Sequence, residues 1–170
     1  MLGVMLFVRR EASGFMRQMP RKRLLVSIPT AVKIPSGVPS ALDAIDMVDE
    51  VIDARSPSEF AEDHIPGAIN LPVLDNMQRH EVGIMYKEDA FEAKKTGASM
   101  VAVNIARHIN GHFSAKPGGY MPLVYCWRGG SRSASMAVVL AQIGWRVKLL
   151  DGGYKNYRTE VRSTLEDLPP

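Results

Sequence analysis

The segment Met121–Gly144, MPLVYCWRGGSRSASMAVVLAQIG, constrains this chain more than any other. Leu123, Val124 and Tyr125 form a short apolar run bounded by Pro122, which predicts a buried strand. The strand leads to Cys126, the only cysteine of the chain, and then to Gly129 and Gly130. From Ser131 onward Ala134, Met136, Ala137, Val139, Leu140 and Ile143 recur at helical spacing, and Gly144 stands where a helix ends. A strand, a glycine turn and a helix N-terminus converge on one thiol.

That convergence has a chemical meaning. Unpaired amides in the first turn of a helix carry positive potential, and with the amides of a tight turn they make a nest for anions. Such surroundings favour thiolate over thiol, and a thiolate is a nucleophile or a carrier of a second chalcogen atom. Arg128 and Arg132 add two permanent charges, with Arg132 six residues past Cys126, close enough to fold back over the loop. A lone cysteine is also well suited to being a small buried apolar residue. The glycines and arginines around this one favour chemistry.

The flanking sequence predicts an α/β domain beginning near Ser40. Met47–Ile52 leads into a strand ending at Asp53. Ser56-Pro57-Ser58-Glu59 has the serine, proline and glutamate of a capping box, so a short helix runs to about Asp63. Ile69-Asn70-Leu71 is a second short strand. The chain is helical in character from Asp75 to Gly111, with Met100, Val103, Ile105, Ala106 and Ile109 as its apolar stripe and Arg107 and His108 off it. Trp145–Leu150 is a further strand, and Asp151-Gly152-Gly153 turns into a helix that carries Tyr154, Lys155, Tyr157, Arg158 and Arg162. Alternating strands and helices argue for a mostly parallel central sheet flanked by helices. Sites in such sheets form at the C-terminal strand ends, which places Lys155 and Arg158 beside the Cys126 loop.

Charge separates the chain into two parts. Seven Lys or Arg against Glu11 give residues 1–33 a net of +6, which leaves −3 for the remainder of a chain whose total is +3. Residues 1–39, with Pro29, Pro35 and Pro39, read as a basic, flexible N-terminal extension, and residues 40–165 as the domain. The opening MLGVMLFV is too short to span a membrane, and its arginines follow it rather than precede it, unlike a signal peptide. A single cysteine excludes an intramolecular disulfide and a CxxC zinc site, and it suits the reducing cytoplasm. His64, His80, His108 and His112 make no ligand cluster, so neither a metal nor a cofactor is expected.

VIDARSPSEFAEDHIPGAINLP, the arginine-bearing loop that begins at Cys126, and the later LLDGGY together resemble a rhodanese-type sulfurtransferase domain over roughly residues 45–160. The resemblance implies a single rhodanese-like domain in which Cys126 accepts sulfur from a donor as a persulfide and passes it on. It makes the loop of Trp127, Arg128, Gly129, Gly130, Ser131 and Arg132 the cradle for the anionic donor, and Asp53 and Arg55 its structural supports. YCWRGGSRS, LPVLDNMQRHEVGIMYKEDAFEAKKTG and DGGYKNYR are similar, more narrowly, to the N-terminal rhodanese half of the bacterial tRNA 2-selenouridine synthase family. That likeness implies replacement of sulfur by selenium in wobble 2-thiouridine of tRNA, with selenophosphate as donor and a selenopersulfide on Cys126. The second half of that family carries a P-loop. No G-x-x-x-x-G-K-[ST] occurs in this chain, so a P-loop partner domain or chain is expected to complete the reaction.

Other readings fit part of the same pattern. A generic thiosulfate-type sulfurtransferase needs only the cysteine and its loop. A rhodanese-like module that binds an anion or a partner needs only the loop. Cysteine-dependent phosphatases space arginine similarly after cysteine, but Tyr125 stands where they usually keep histidine, and no acid evidently follows to protonate a leaving group.

Overall fold

The computed structural model describes residues 35–167. The basic extension expected over residues 1–39 lies outside the described residues up to position 34. Five strands form one sheet in the order β1-β5-β4-β2-β3, and every pairing is parallel. The strands are β1 (Ser36–Val38), β2 (Glu50–Asp53), β3 (Ile69–Asn70), β4 (Pro122–Tyr125) and β5 (Lys148–Leu150). The helices are α1 (Ala41–Ile45), α2 (Pro57–Glu62), α3 (Asn76–Glu88), α4 (Ala90–Asn110), α5 (Ser131–Ile143) and α6 (Gly153–Glu166), with a 3₁₀ turn at His112–Ala115. None of these helices is long and apolar enough to cross a membrane.

The apolar runs of β2 and β4 are buried on both faces because helices cover both, as a parallel sheet requires. Side chains alternate between two cores. Val124 and Ile52 join Ile105 of α4 and Met136, Leu140 and Ala141 of α5 on one side. Leu123, Tyr125 and Val51 join Ala41 and Ala44 of α1 and Tyr154 of α6 on the other. From the central pair β2 and β4, the chain moves to β3 in one direction and to β5 in the other. The crevice at such a reversal lies at the C-terminal strand ends, and Asp53 and Cys126 both stand there.

The sheet begins earlier than the sequence suggests. Ser36–Val38, read as linker, pairs with Lys148–Leu150 as the edge strand, and Asp151 N–H donates to Val38 C=O at 2.9 Å. Prolines on both sides of a three-residue segment are tolerated at an edge, where few ladder bonds are needed. The segment Asp75–Gly111 is helical as expected, and it is made of two helices. Asp89 breaks them apart, and its carboxylate caps α4 by accepting from the N–H groups of Phe91 and Glu92.

The buried faces of α4 and α5 also differ from the expected stripes. On α4, Val103 and Ala106 are exposed, while Asn104 is buried and its amide donates to Val73 C=O at 3.0 Å. His108, expected off the stripe, hydrogen-bonds Pro72 C=O through Nε2 at 2.9 Å. On α5, Val139 and Ile143 are exposed, and the buried row is Ser133, Met136, Ala137, Leu140 and Ala141. Each shift has one cause: a polar residue whose hydrogen bonds are satisfied inside takes a place that an apolar count would not give it.

Beneath the site, Asp53 and Arg55 form a buried ion pair, 0% and 2% exposed. Arg55 Nε donates to both carboxylate oxygens at 3.0 Å, and Nη2 donates to Asp53 at 2.6 Å and to Asp63 C=O at 2.7 Å. The guanidinium also lies 4.2 Å from the Tyr154 ring centroid. One arginine therefore joins the end of β2, the end of α2 and the start of α6. Removing one partner strands a buried charge, at a cost of about 3–5 kcal/mol. Urea denaturation of Asp53→Ala is expected to show a loss of that order, with most of the chain unfolded at urea concentrations that the parent chain withstands.

Candidate functional site

β4 delivers Cys126 to the crevice, where it is 3% exposed. The loop that follows reverses at Gly129, with φ of 66°, and α5 starts at Ser131 with Gly130 as its N-cap. The Ser133 hydroxyl lies 3.2 Å from both the sulfur and Gly130 C=O, so its single hydrogen is shared between these two acceptors, and the sulfur itself lies 3.9 Å from Gly130 C=O. Ser133 is fully buried on the first turn of α5. The sequence reading missed it. Its signal was the spacing 133, 136, 137, 140, 141, an unbroken helical row in which the one polar member faces the sulfur.

The loop is locked from the other side by α6. The first amides of α6 have no partners within their own helix. Tyr154 N–H donates to Cys126 C=O at 2.8 Å and Lys155 N–H to Trp127 C=O at 3.0 Å. This approach requires glycine. A Cβ on Gly153, whose φ is 61°, would lie 2.2 Å from Cys126 C=O and 2.5 Å from Gly129 N. A Cβ on Gly129 would in turn lie 3.0 Å from Leu150 C=O. The two glycine turns read separately in the sequence are one interlocked surface.

The arginines take different places. Arg132 forms a bidentate pair with Glu59 of α2, Nη1 to Oε2 at 2.5 Å and Nη2 to Oε1 at 3.1 Å. Glu59 Oε2 also accepts from the Ser56 amide at 3.1 Å and the Ser56 hydroxyl at 2.9 Å. The residue read as a helix cap therefore also neutralises a residue read as an anion clamp. Arg128 and Ser131 are exposed. Lys155 contributes its backbone to the loop, and its side chain is exposed. Arg158 lies 3.8 Å from Asp63, a loose pair on the surface. A cavity of about 320 Å³ beside the loop brings together Trp127, Arg132, Arg158, Arg55, Glu59, Glu62, Asp63, Tyr154 and Arg79. Arg79 and Glu59 were not foreseen as members of this group.

Burial pushes the Glu59 carboxyl up, but the hydrogen bonds and charge of Arg132, with those of Ser56, outweigh it and hold it at about 2. A depressed carboxylate contributes stability above its ordinary value of 4.5 and loses it as the pH falls toward 2. Glu59→Gln is thus expected to melt below the parent chain at neutral pH, and the gap in Tm should close between about pH 4.5 and 2. A gap independent of pH would show that packing, not charge, holds Arg132. For Gly153→Ala, the backbone strain alone costs about 1–3 kcal/mol, and the contact with Cys126 C=O forces the loop to move. Both a lowered Tm and a changed rate of Cys126 alkylation by iodoacetamide are expected.

The rhodanese-like domain family matches residues 35–160. The tRNA 2-selenouridine synthase of Shewanella halifaxensis strain HAW-EB4 is 36% identical over 124 residues, which are 70% of this chain and 33% of that protein. The protein of the same name from Sulfurovum sp. strain NBC37-1 is 35% identical over 129 residues, 71% of this chain and 35% of its own. The chain thus spans about a third of the length of the curated relatives it matches. A crystal structure described as the N-terminal domain of a putative ATP/GTP binding protein from Clostridium difficile 630 superposes with a TM-score of 0.63. It is 34% identical and covers 73% of this chain and 98% of its own. By that match, which runs through the β2 motif, the Cys126 loop and the Gly152-Gly153 turn, the chain belongs to the rhodanese-like domain family.

Proposed function

We propose that this chain is a transferase domain that carries sulfur or selenium on Cys126, as a persulfide or selenopersulfide, and passes it to tRNA. The observation that carries this reading is the setting of the sole cysteine: at the end of β4, with the Ser133 hydroxyl on its sulfur and the first turn of α5 beside it. The names of its relatives support tRNA as acceptor and 2-selenouridine as product, and the resemblance implies that selenium replaces sulfur in wobble 2-thiouridine. Since the match spans only about a third of those relatives, a partner domain or chain, with the P-loop that the resemblance implies, would supply the remaining steps.

The loading step balances without an added oxidant. The Cys126 thiolate attacks the outer sulfur of an anionic donor, an S–S bond forms, and the donor's own bond to that sulfur breaks. With thiosulfate, sulfite leaves with the electron pair and Cys126 holds the persulfide anion. The Ser133 hydroxyl donates to the attacking sulfur, and the amides and dipole of α5 favour the negative charge as it moves outward. Phosphatase chemistry is less well served, because Glu59, the carboxylate on Arg132, holds no proton at neutral pH to give a leaving group.

Intact mass after incubation with thiosulfate, or with selenosulfate, from which sulfite leaves in the same way, tests the reading. A gain of one chalcogen atom is expected, absent in Cys126→Ala. Ser133→Ala should slow loading by about tenfold, the value of one hydrogen bond to a charged group at about 1.5 kcal/mol. A parent chain that gains no mass from either donor would sink the carrier reading.

A further inference from the structure

We propose that Arg79 on α3, rather than Arg132, is the cation that holds an RNA phosphate at the mouth of the Cys126 site, with Trp127 as the stacking surface for the adjoining base. The proposal rests on the reading of an RNA acceptor given above and names the residues that would receive it.

Four arginines line the cavity beside the loop, and their partners decide which can bind an anion. Arg55 is taken up by Asp53 in a fully buried pair. Arg132 is taken up by both oxygens of Glu59. A phosphate could claim it only by displacing a carboxylate that three donor groups hold in place. Arg158 is loosely paired with Asp63 at 3.8 Å. Arg79 is exposed and makes no ion pair among the described residues. Its charge is uncompensated, and at the rim it needs little desolvation to meet a ligand. Glu62 lines the same cavity, exposed, and opposes an anion there.

Trp127 makes a bare anion the poorer fit. It is half-buried, and its ring is held against Tyr154 at 5.9 Å between centroids, while Arg55 lies over that tyrosine from another side. An aromatic ring fixed by packing, lining the same cavity as a free cation, is the pair with which proteins receive an unstacked base and its phosphate. A cavity of about 320 Å³ is at the small end of ligand sites. It suits one nucleotide residue from a single-stranded loop, not a duplex. Because residues beyond position 33 carry a net of −3, the domain has no broad basic footprint, and one cation at the right place carries an outsized share of binding.

Fluorescence anisotropy with the full chain and a fluorescein-labelled RNA stem-loop, over a series of salt concentrations, tests the assignment. Arg79→Gln is expected to raise Kd about 3- to 10-fold at low salt and to reduce the slope of log K against log salt by about one. Glu62→Gln should tighten binding. Trp127→Leu should weaken it by about fivefold or more with the slope unchanged, since stacking releases no counterion. Arg146→Gln, an exposed cation beside Trp145 and outside the cavity, should change neither quantity. Absence of binding by the parent chain at low salt, an unchanged slope in Arg79→Gln, or transfer of the slope change to Arg132→Gln would overturn the proposal. So would competition by inorganic phosphate, at matched ionic strength, as effective as competition by unlabelled RNA. Chalcogen loading, followed by mass on the same parent sample, is scored separately. Its failure sinks the carrier reading and leaves the salt slope standing, whereas an unaltered slope sinks Arg79 and leaves the carrier reading standing.

Discussion

The structure depends on the junction where the first amides of α6 donate to the carbonyls of Cys126 and Trp127. A helix start always has N–H groups to satisfy, and here the Cys126 loop satisfies them. Both groups benefit: α6 gains a cap that its sequence does not supply, and the loop gains a fixed back. The contact is possible only because Gly153 carries no Cβ where one would reach within 2.2 Å of the Cys126 carbonyl. Everything that reaches the sulfur from the front, including Ser133 and the start of α5, does so against this wall.

Around that wall the charges are paired more fully than their number suggests. Asp53 holds Arg55 below the crevice, and Glu59 holds Arg132 at its side. Each pair ties two elements together, β2 to α6 through the stack on Tyr154 and α2 to α5 through the bidentate contact. A cluster of arginines counted along the chain looks like a cationic cradle. In space two of them, Arg55 and Arg132, are struts, and the unpaired arginine that lines the cavity, Arg79, is supplied by a helix far from the cysteine in sequence. The oriented amides at the start of α5 add positive potential beside the sulfur.

The helical hairpin of α3 and α4 shows how polar groups become interior. Asn104 and His108 reach the carbonyls of Val73 and Pro72, so they pin the segment after β3 against α4. Gly97 allows the two helices to meet closely, since a Cβ there would lie 3.3 Å from Val82. The hairpin thereby brings Arg79 to the rim of a site built from other elements. Its own surface carries little apolar burial, and α3 has no fully buried residue.

Local physics wrote a large part of this protein into its sequence. The apolar run before Cys126, the capping box at Ser56 and the glycine turns depend on neighbours a few residues away, and they are legible for that reason. The strand order, the pairing of Ser36–Val38 at the sheet edge, and the meeting of Glu59 with Arg132 depend on which distant groups a parallel sheet carries to one edge. The same holds for Ser133, whose buried hydroxyl meets both Gly130 C=O and the sulfur that follows β4. The sequence alone determined that the sole cysteine stands between a strand and a glycine turn. Only the tertiary structure decided which charges beside it remain free, because a charge's availability is set by its partner across space and not by its place in the chain.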